Sequence, residues 1–151
     1  MKERFKTPNA VFVILSRGSR DNLEILLQKR QNTGFMDGYW DVAASGHVEE
    51  GESTTEAAAR EAREELGIEI AKNDIKFAGF YYNNFGSVTY CYTYFDVRNY
   101  SSIPRVNEPN KCSEIKWFYI KDLPKDIIDE RKTSVMNYLK GIYFGEFGWD
   151  D

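Results

Sequence analysis

Between Gly46 and Ile68 the chain reads GHVEEGESTTEAAAREAREELGI, and the second half of this stretch has the marks of a helix with both ends defined. Ser53 followed three residues later by Glu56 is a capping-box pattern, in which each side chain takes the other residue's backbone amide. Ala57 to Leu66 contains only good helix formers, and Gly67 suits the left-handed position just past a helix end. The spacing predicts a helix over 54–66. At about 100° per residue, Glu61, Glu64 and Glu65 fall within roughly a 100° arc, with the small Ala57 on that face one turn earlier. The opposite arc carries Ala59, Ala62 and Leu66, which can lie flat on a sheet and would turn three converging carboxylates toward a cleft or solvent.

Like charges at these spacings repel by a few tenths of a kcal/mol per pair in water. Arg60 borders one edge of the acidic stripe and Arg63 faces away from it, so a hard divalent cation is expected to neutralise its centre. Mg²⁺, with Mn²⁺ as a substitute, suits oxygen ligands and is commonly shared between carboxylates and substrate phosphates, which predicts a phosphorylated ligand. Gly46 and Gly51 frame a tight turn that can bring backbone carbonyls close to the metal. The plain alternative is a solvated surface helix with interspersed Glu and Arg.

Gly46, five residues, Glu52, seven residues and then Arg60-Glu61-Ala62-Arg63-Glu64-Glu65-Leu66-Gly67-Ile68 resembles the Nudix box, Gly-x5-Glu-x7-Arg-Glu-U-x-Glu-Glu-x-Gly-U, where U is a bulky apolar residue. Every fixed polar or glycine position is filled; Ala62 is a small residue at a U position, a departure that bears on helix packing and not on the ligands. Gln28-Lys-Arg30, the loop Gly34 to Trp40, Asn107 to Lys111, Trp117-Phe118 and Leu123-Pro124 resemble the MutT-like branch. The resemblance implies an α/β/α sandwich of the α+β type, with a mixed sheet and a catalytic loop-helix-loop. It implies that Glu61, Glu64 and Glu65 hold Mg²⁺ with the backbone carbonyl of Ser45, and that Glu52 pairs with Arg60 to lock the loop on the helix. Gly46 and Gly67 are structural. Glu108 would supply a further carboxylate, either a ligand or the base that activates water, and Glu61 and Glu64 compete with it for the proton-accepting role.

The rest of the chain supplies the frame. Ala10–Ser16 and Leu23–Gln28 read as a hairpin around Arg17–Asn22, Asn32–Tyr39 as a loop, and Trp40–Val42 as a brief strand. Ile75–Tyr82 and Ser87–Val97 suggest a second hairpin, Ile115–Ile120 a further strand and Ile127–Leu139 a helix, so a mixed sheet with helices on its faces is expected. Arg30 is a candidate clamp for phosphate oxygens; Tyr81 and Trp117 are candidates to stack on a base. His47 occupies a box position that is not fixed and reads as a surface residue. Asn83 and Asn84 read as turn residues, and Glu114, Asp122 and the acidic end of the tail as solvent-facing.

With 151 residues, one domain spanning 1–151 is expected. The net charge of −4 argues against a stable nucleic-acid complex held by the overall field. Two cysteines make no disulfide framework, the first eight residues are charged, and no run approaches the roughly 18 apolar residues of a membrane span, so a soluble cytoplasmic protein is expected. The box implies hydrolysis of a diphosphate linkage in a nucleoside triphosphate or other nucleoside diphosphate-X, with release of a nucleoside monophosphate and pyrophosphate or X-phosphate. An isopentenyl-diphosphate-isomerase-like enzyme is one alternative, countered by both cysteines following the box. A non-catalytic nucleotide sensor is another, countered by the complete set of box carboxylates. A homodimer through the aromatic tail or second hairpin is a further expectation.

Overall fold

The computed structural model describes residues 2–149, so the acidic residues 150 and 151 lie outside it. The strand β1 (Asn9–Arg17) is buried along its whole interior. A strand whose side chains are apolar in both directions needs cover on both faces. Val11, Val13 and Leu15 point into one cluster, with Ala58, Ala62 and Leu66 of α1 (Thr54–Leu66). Phe12 and Ile14 point into the other, with Val135 of α2 (Asp129–Leu139). Two helices thus cover opposite faces of a mixed sheet, as expected of an α/β/α sandwich.

The expected first hairpin forms only at its turn. Between β1 and β2 (Glu24–Arg30) the paired residues are Ser16 with Ile25 and Arg17 with Glu24. Beyond them the strands part. The strand β1 runs on between β4 (Ala44–His47), antiparallel, and β6 (Thr89–Val97), parallel. The strand β2 continues between β3 (Trp40–Val42) and β7 (Cys112–Tyr119). The physical reason is β1's two apolar faces: an edge hairpin would leave one of them in water. The second hairpin is as expected, with β5 (Ile75–Asn84) antiparallel to β6. Two elements go beyond the sequence reading. Residues 44–47, read as entry to a turn, extend β4 on the edge of β1. In the tail, β8 (Phe144–Gly145) pairs with β5 while Phe147 and Trp149 stack on Tyr81 and Tyr82.

The helix α1 has the expected bounds and both halves of the capping box, and Gly67 closes it at φ 69°. Its roll differs from expectation. Ala57, expected on the acidic face, is buried together with Ala58, Ala62 and Leu66, while Ala59 is only half-buried. The inward-facing arc therefore runs from Ala57 to Leu66, with Glu65 half-buried on it. Among the described residues no helix is long and apolar enough to cross a membrane. Replacing Ser53 with Ala should lower stability by about 1 kcal/mol, read as a lower urea midpoint with unchanged slope.

Candidate active site

The cleft, of about 850 Å³, opens where β1 and β2 part, lined by Ala10 and Phe12 from one strand and Gln28 and Arg30 from the other. Glu61 and Glu65 reach its wall from α1, Ser45 and Gly46 from β4, and Glu108 from the loop before β7.

The roll of α1 decides what its carboxylates do. Glu65 is carried inward, where its carboxyl lies against that of Glu61 and accepts from Gln28 Nε2 at 3.0 Å and Ser45 N at 3.1 Å. Burial, reinforced by Glu61, holds the Glu65 carboxyl well above the usual range despite those two donors. Glu64 stays at the rim, with nearly half its side chain exposed. The expected convergence of Glu61, Glu64 and Glu65 is therefore incomplete: among the described residues no three acidic, His or Cys side chains form a ready-made metal cage.

Arg60 is the second reason, and here too the sequence reading needs correction. Instead of bordering the stripe, its Nη1 lies between two of its members, 2.6 Å from Glu61 Oε1 and 3.1 Å from Glu64 Oε2. The rest of the guanidinium holds the loop: Nε donates to Glu52 at 2.7 Å, and Nη2 to Glu52 at 3.0 Å and to the His47 carbonyl at 2.9 Å. These contacts raise the Arg60 pKa and lower that of Glu52.

The residues present nevertheless fit a hard cation. Gly46 approaches Glu61 so closely that a Cβ there would stand 2.2 Å from its carboxyl carbon, so the backbone is shaped around a carboxylate. Beside it is the half-buried Glu65, whose charged form lacks a counterion. Only one arm of Arg60 needs to yield for Glu61 and Glu64 to be free, because its other nitrogens remain bonded to Glu52 and His47.

Glu108 is positioned by the end of α1. Asn107 donates its backbone N to the Glu65 carbonyl and its side-chain amide to the Glu64 carbonyl, and Arg105 N bonds the Leu66 carbonyl. The loop thus satisfies helix-end acceptors that would otherwise lack partners. Arg30 lines the cleft, with Nε on the Phe35 carbonyl at 2.7 Å and Nη1 on buried Asp41 at 3.0 Å.

Two expected substrate residues lie elsewhere. Tyr81 is 1% exposed and stacks on Phe147 in the core. Trp117 packs toward the α1 side and is capped by Arg17, with the guanidinium carbon 4.0 Å from its ring centroid. Neither lines the cleft. The aromatic surface is instead Phe12, Phe85, Tyr90 and Tyr92, with the Tyr90 hydroxyl 2.6 Å from His47 Nε2. The sequence reading also gave no site role to Gln28 and missed Arg131. Gln28 lay in a noted run, but nothing in the spacing of α2 marks Arg131 as buried.

A carboxylate-bearing loop-helix-loop, set on a mixed sheet between two helices and facing one deep cleft, defines a site suited to a polyanionic ligand. Residues 6–139 match the NUDIX domain model, and the chain belongs to that family. It is 38% identical over 72 residues to an uncharacterised Nudix hydrolase of Pseudomonas aeruginosa, covering 47% of this chain and 41% of the relative. A second uncharacterised Nudix hydrolase, from Listeria monocytogenes, is 47% identical over 49 residues, 31% of this chain and 28% of the relative. The chain thus spans less than half the length of these relatives. Among solved structures, the MutT NUDIX hydrolase from Burkholderia pseudomallei has a TM-score of 0.73 at 24% identity, over 87% of this chain and 98% of that one. A MutT/nudix family protein from Enterococcus faecalis has a TM-score of 0.76 at 18% identity, over 94% of this chain and 64% of that one. At these identities the likeness is one of fold.

Two outcomes follow from the packing of Glu61 and Glu65. Gly46→Ala should fold, because the displaced atoms are the end of a flexible side chain, yet lose about tenfold or more in divalent-metal affinity by calorimetric titration. The raised Glu65 pKa means that the folded state holds a proton more tightly than the unfolded one. Its contribution to stability is complete below the ordinary value of 4.5 and is lost as pH rises through the raised value. In metal-free buffer, Glu65→Gln should therefore melt above the unsubstituted protein, by a margin that grows with pH across that window.

Proposed function

We propose that this chain is a Mg²⁺-dependent pyrophosphohydrolase that cleaves a diphosphate linkage in a nucleoside triphosphate or other nucleoside diphosphate-X. The products are a nucleoside monophosphate and pyrophosphate or X-phosphate. The observation that carries this reading is the pair Glu61, set against Gly46, and Glu65, at the wall of a cleft of about 850 Å³. Glu61 and Glu65, joined by Glu64 from the rim and the Ser45 carbonyl, would hold Mg²⁺, with Mn²⁺ as a substitute. Bound there, the ion supplies charge neutralisation at phosphoryl oxygens and acidifies water.

The chain's own groups do the rest. Arg60, anchored by Glu52, keeps the loop and helix in register when its Nη1 releases Glu61 and Glu64. Among the described residues Arg30 Nη2 makes no hydrogen bond, and from the cleft wall it would bind a phosphoryl oxygen. Glu108 lines the cleft and, with Glu61 and Glu64, is a candidate to take the proton from water. Ser45 N and Gln28 hold Glu65 in place throughout. The reading takes residues 1–151 as a single catalytic domain in the cytoplasm. The exposed Phe77, Tyr143 and Phe144 beside β8 are the surface available to a homodimer.

The test is turnover of nucleoside triphosphates, nucleotide sugars, ADP-ribose and dinucleoside polyphosphates with Mg²⁺, followed by chromatography. Glu61→Gln or Glu64→Gln should lower kcat by about 10²-fold to 10⁴-fold, and Glu108→Gln by as much where it is the base. Metal removal should abolish turnover. Binding of metal with no turnover across the panel would sink the nucleotide-hydrolase reading and favour a sensor.

A further inference from the structure

Glu108 has a second set of supports, separate from the end of α1. Residues 108–111 form a turn closed by Lys111 N on the Glu108 carbonyl at 2.9 Å, and Cys112 N reaches the same oxygen at 3.1 Å. Pro109 takes the second position of that turn, where its fixed φ is favoured. The bond that closes such a turn uses only its first carbonyl. The next three are held by the two residues that follow β2. Gln31 Nε2 donates to the Pro109 carbonyl at 2.7 Å, Asn32 Nδ2 to the Asn110 carbonyl at 3.1 Å and Gln31 N to the Lys111 carbonyl at 3.0 Å.

The segment that supplies these donors is itself fixed. Asn32 has φ 55°, a left-handed conformation that asparagine tolerates better than most residues. Immediately after it, Thr33 N, Thr33 Oγ1 and Gly34 N all donate to Asp37, and the Phe35 carbonyl accepts from Arg30 Nε. On the other side of Glu108, Asn107 is bonded to the end of α1. The backbone at Glu108 is therefore anchored before and after. Its side chain makes no hydrogen bond or ion pair among the described residues and lines the cleft. Both side-chain amide bonds to the turn lie at the surface, so removing either leaves the core intact.

We infer that Gln31 and Asn32 are positioning residues for Glu108: their side-chain amides hold the turn that aims its carboxylate into the cleft. The inference rests on the hydrolytic reading above and on Glu108 taking part in it. Misplacing a reacting group by about 1 Å can cost about 10²-fold in rate. Gln31→Ala should therefore lower kcat about tenfold or more, with KM within about twofold. Asn32→Gly, which suits the left-handed backbone and removes only the amide, should act in the same direction. A double-mutant cycle separates positioning from general loosening: in a Glu108→Gln background, Gln31→Ala should change kcat by less than about twofold. A second measurement needs neither metal nor turnover. Amide hydrogen exchange at Lys111 and Cys112, whose amides bond the Glu108 carbonyl, should be about fivefold or more faster in both variants, with the amides of α1 unchanged. An unchanged kcat in Gln31→Ala, or a loss that multiplies with that of Glu108→Gln, overturns the inference. So does exchange at Lys111 and Cys112 no faster than in the unsubstituted protein. Full activity of Glu108→Gln removes this inference and spares the proposed function, whereas absence of turnover across the whole substrate panel removes both.

Discussion

The guanidinium of Arg60 joins three parts of the chain. Two of its nitrogens hold Glu52 and the His47 carbonyl, and the third lies between Glu61 and Glu64. The strand β4, the loop after it and the acidic face of α1 therefore move as one unit. Glu61 is kept against Gly46 and Glu65 against Ser45 N, and the Asn107 segment docks on the end of the same helix. Without this clamp, repulsion among the glutamates would push the loop off the helix.

The cleft has a different origin, in the burial of β1 on both faces. Because that strand needs partners along both edges and cover on both sides, it parts from β2 after two residue pairs. The gap between the diverging strands is where Gln28 and Arg30 face Ala10 and Phe12. One side of β1 supports the helix that carries the carboxylates; the other supports the aromatic wall and Arg131. The acidic face of α1 and the aromatic side chains around Phe12 thus share a single central strand.

Charge in the interior is handled by local pairing throughout. Asp41 is fully buried yet accepts from two arginines and the Val42 amide. Asp96 and the half-buried Glu65 accept from neutral donors, and Glu65 also lies against the carboxyl of Glu61. The Glu65 carboxyl is consequently held well above the usual range.

What the sequence by itself determined was local. The capping box at Ser53 and Glu56, the helix formers after it and Gly67 specify α1 to the residue, because each acts within one or two turns of its own backbone. The resemblance to the Nudix box likewise implied Glu52 as the partner of Arg60, and the aromatic and β-branched runs marked β5 and β6. Only the tertiary structure decided which way α1 rolls, and so that Glu65 is carried inward while Glu64 stays at the rim. It also placed Tyr81 in the core and Trp117 away from the cleft, lined the cleft with Phe12, Tyr90 and Tyr92, and brought Arg131 to Asp41, ninety residues away. The reason is physical: an aromatic or arginine side chain is equally at home in core or cleft. Which it occupies depends on the face that β1 presents and on how far β1 and β2 diverge, neither of which is written in neighbouring residues.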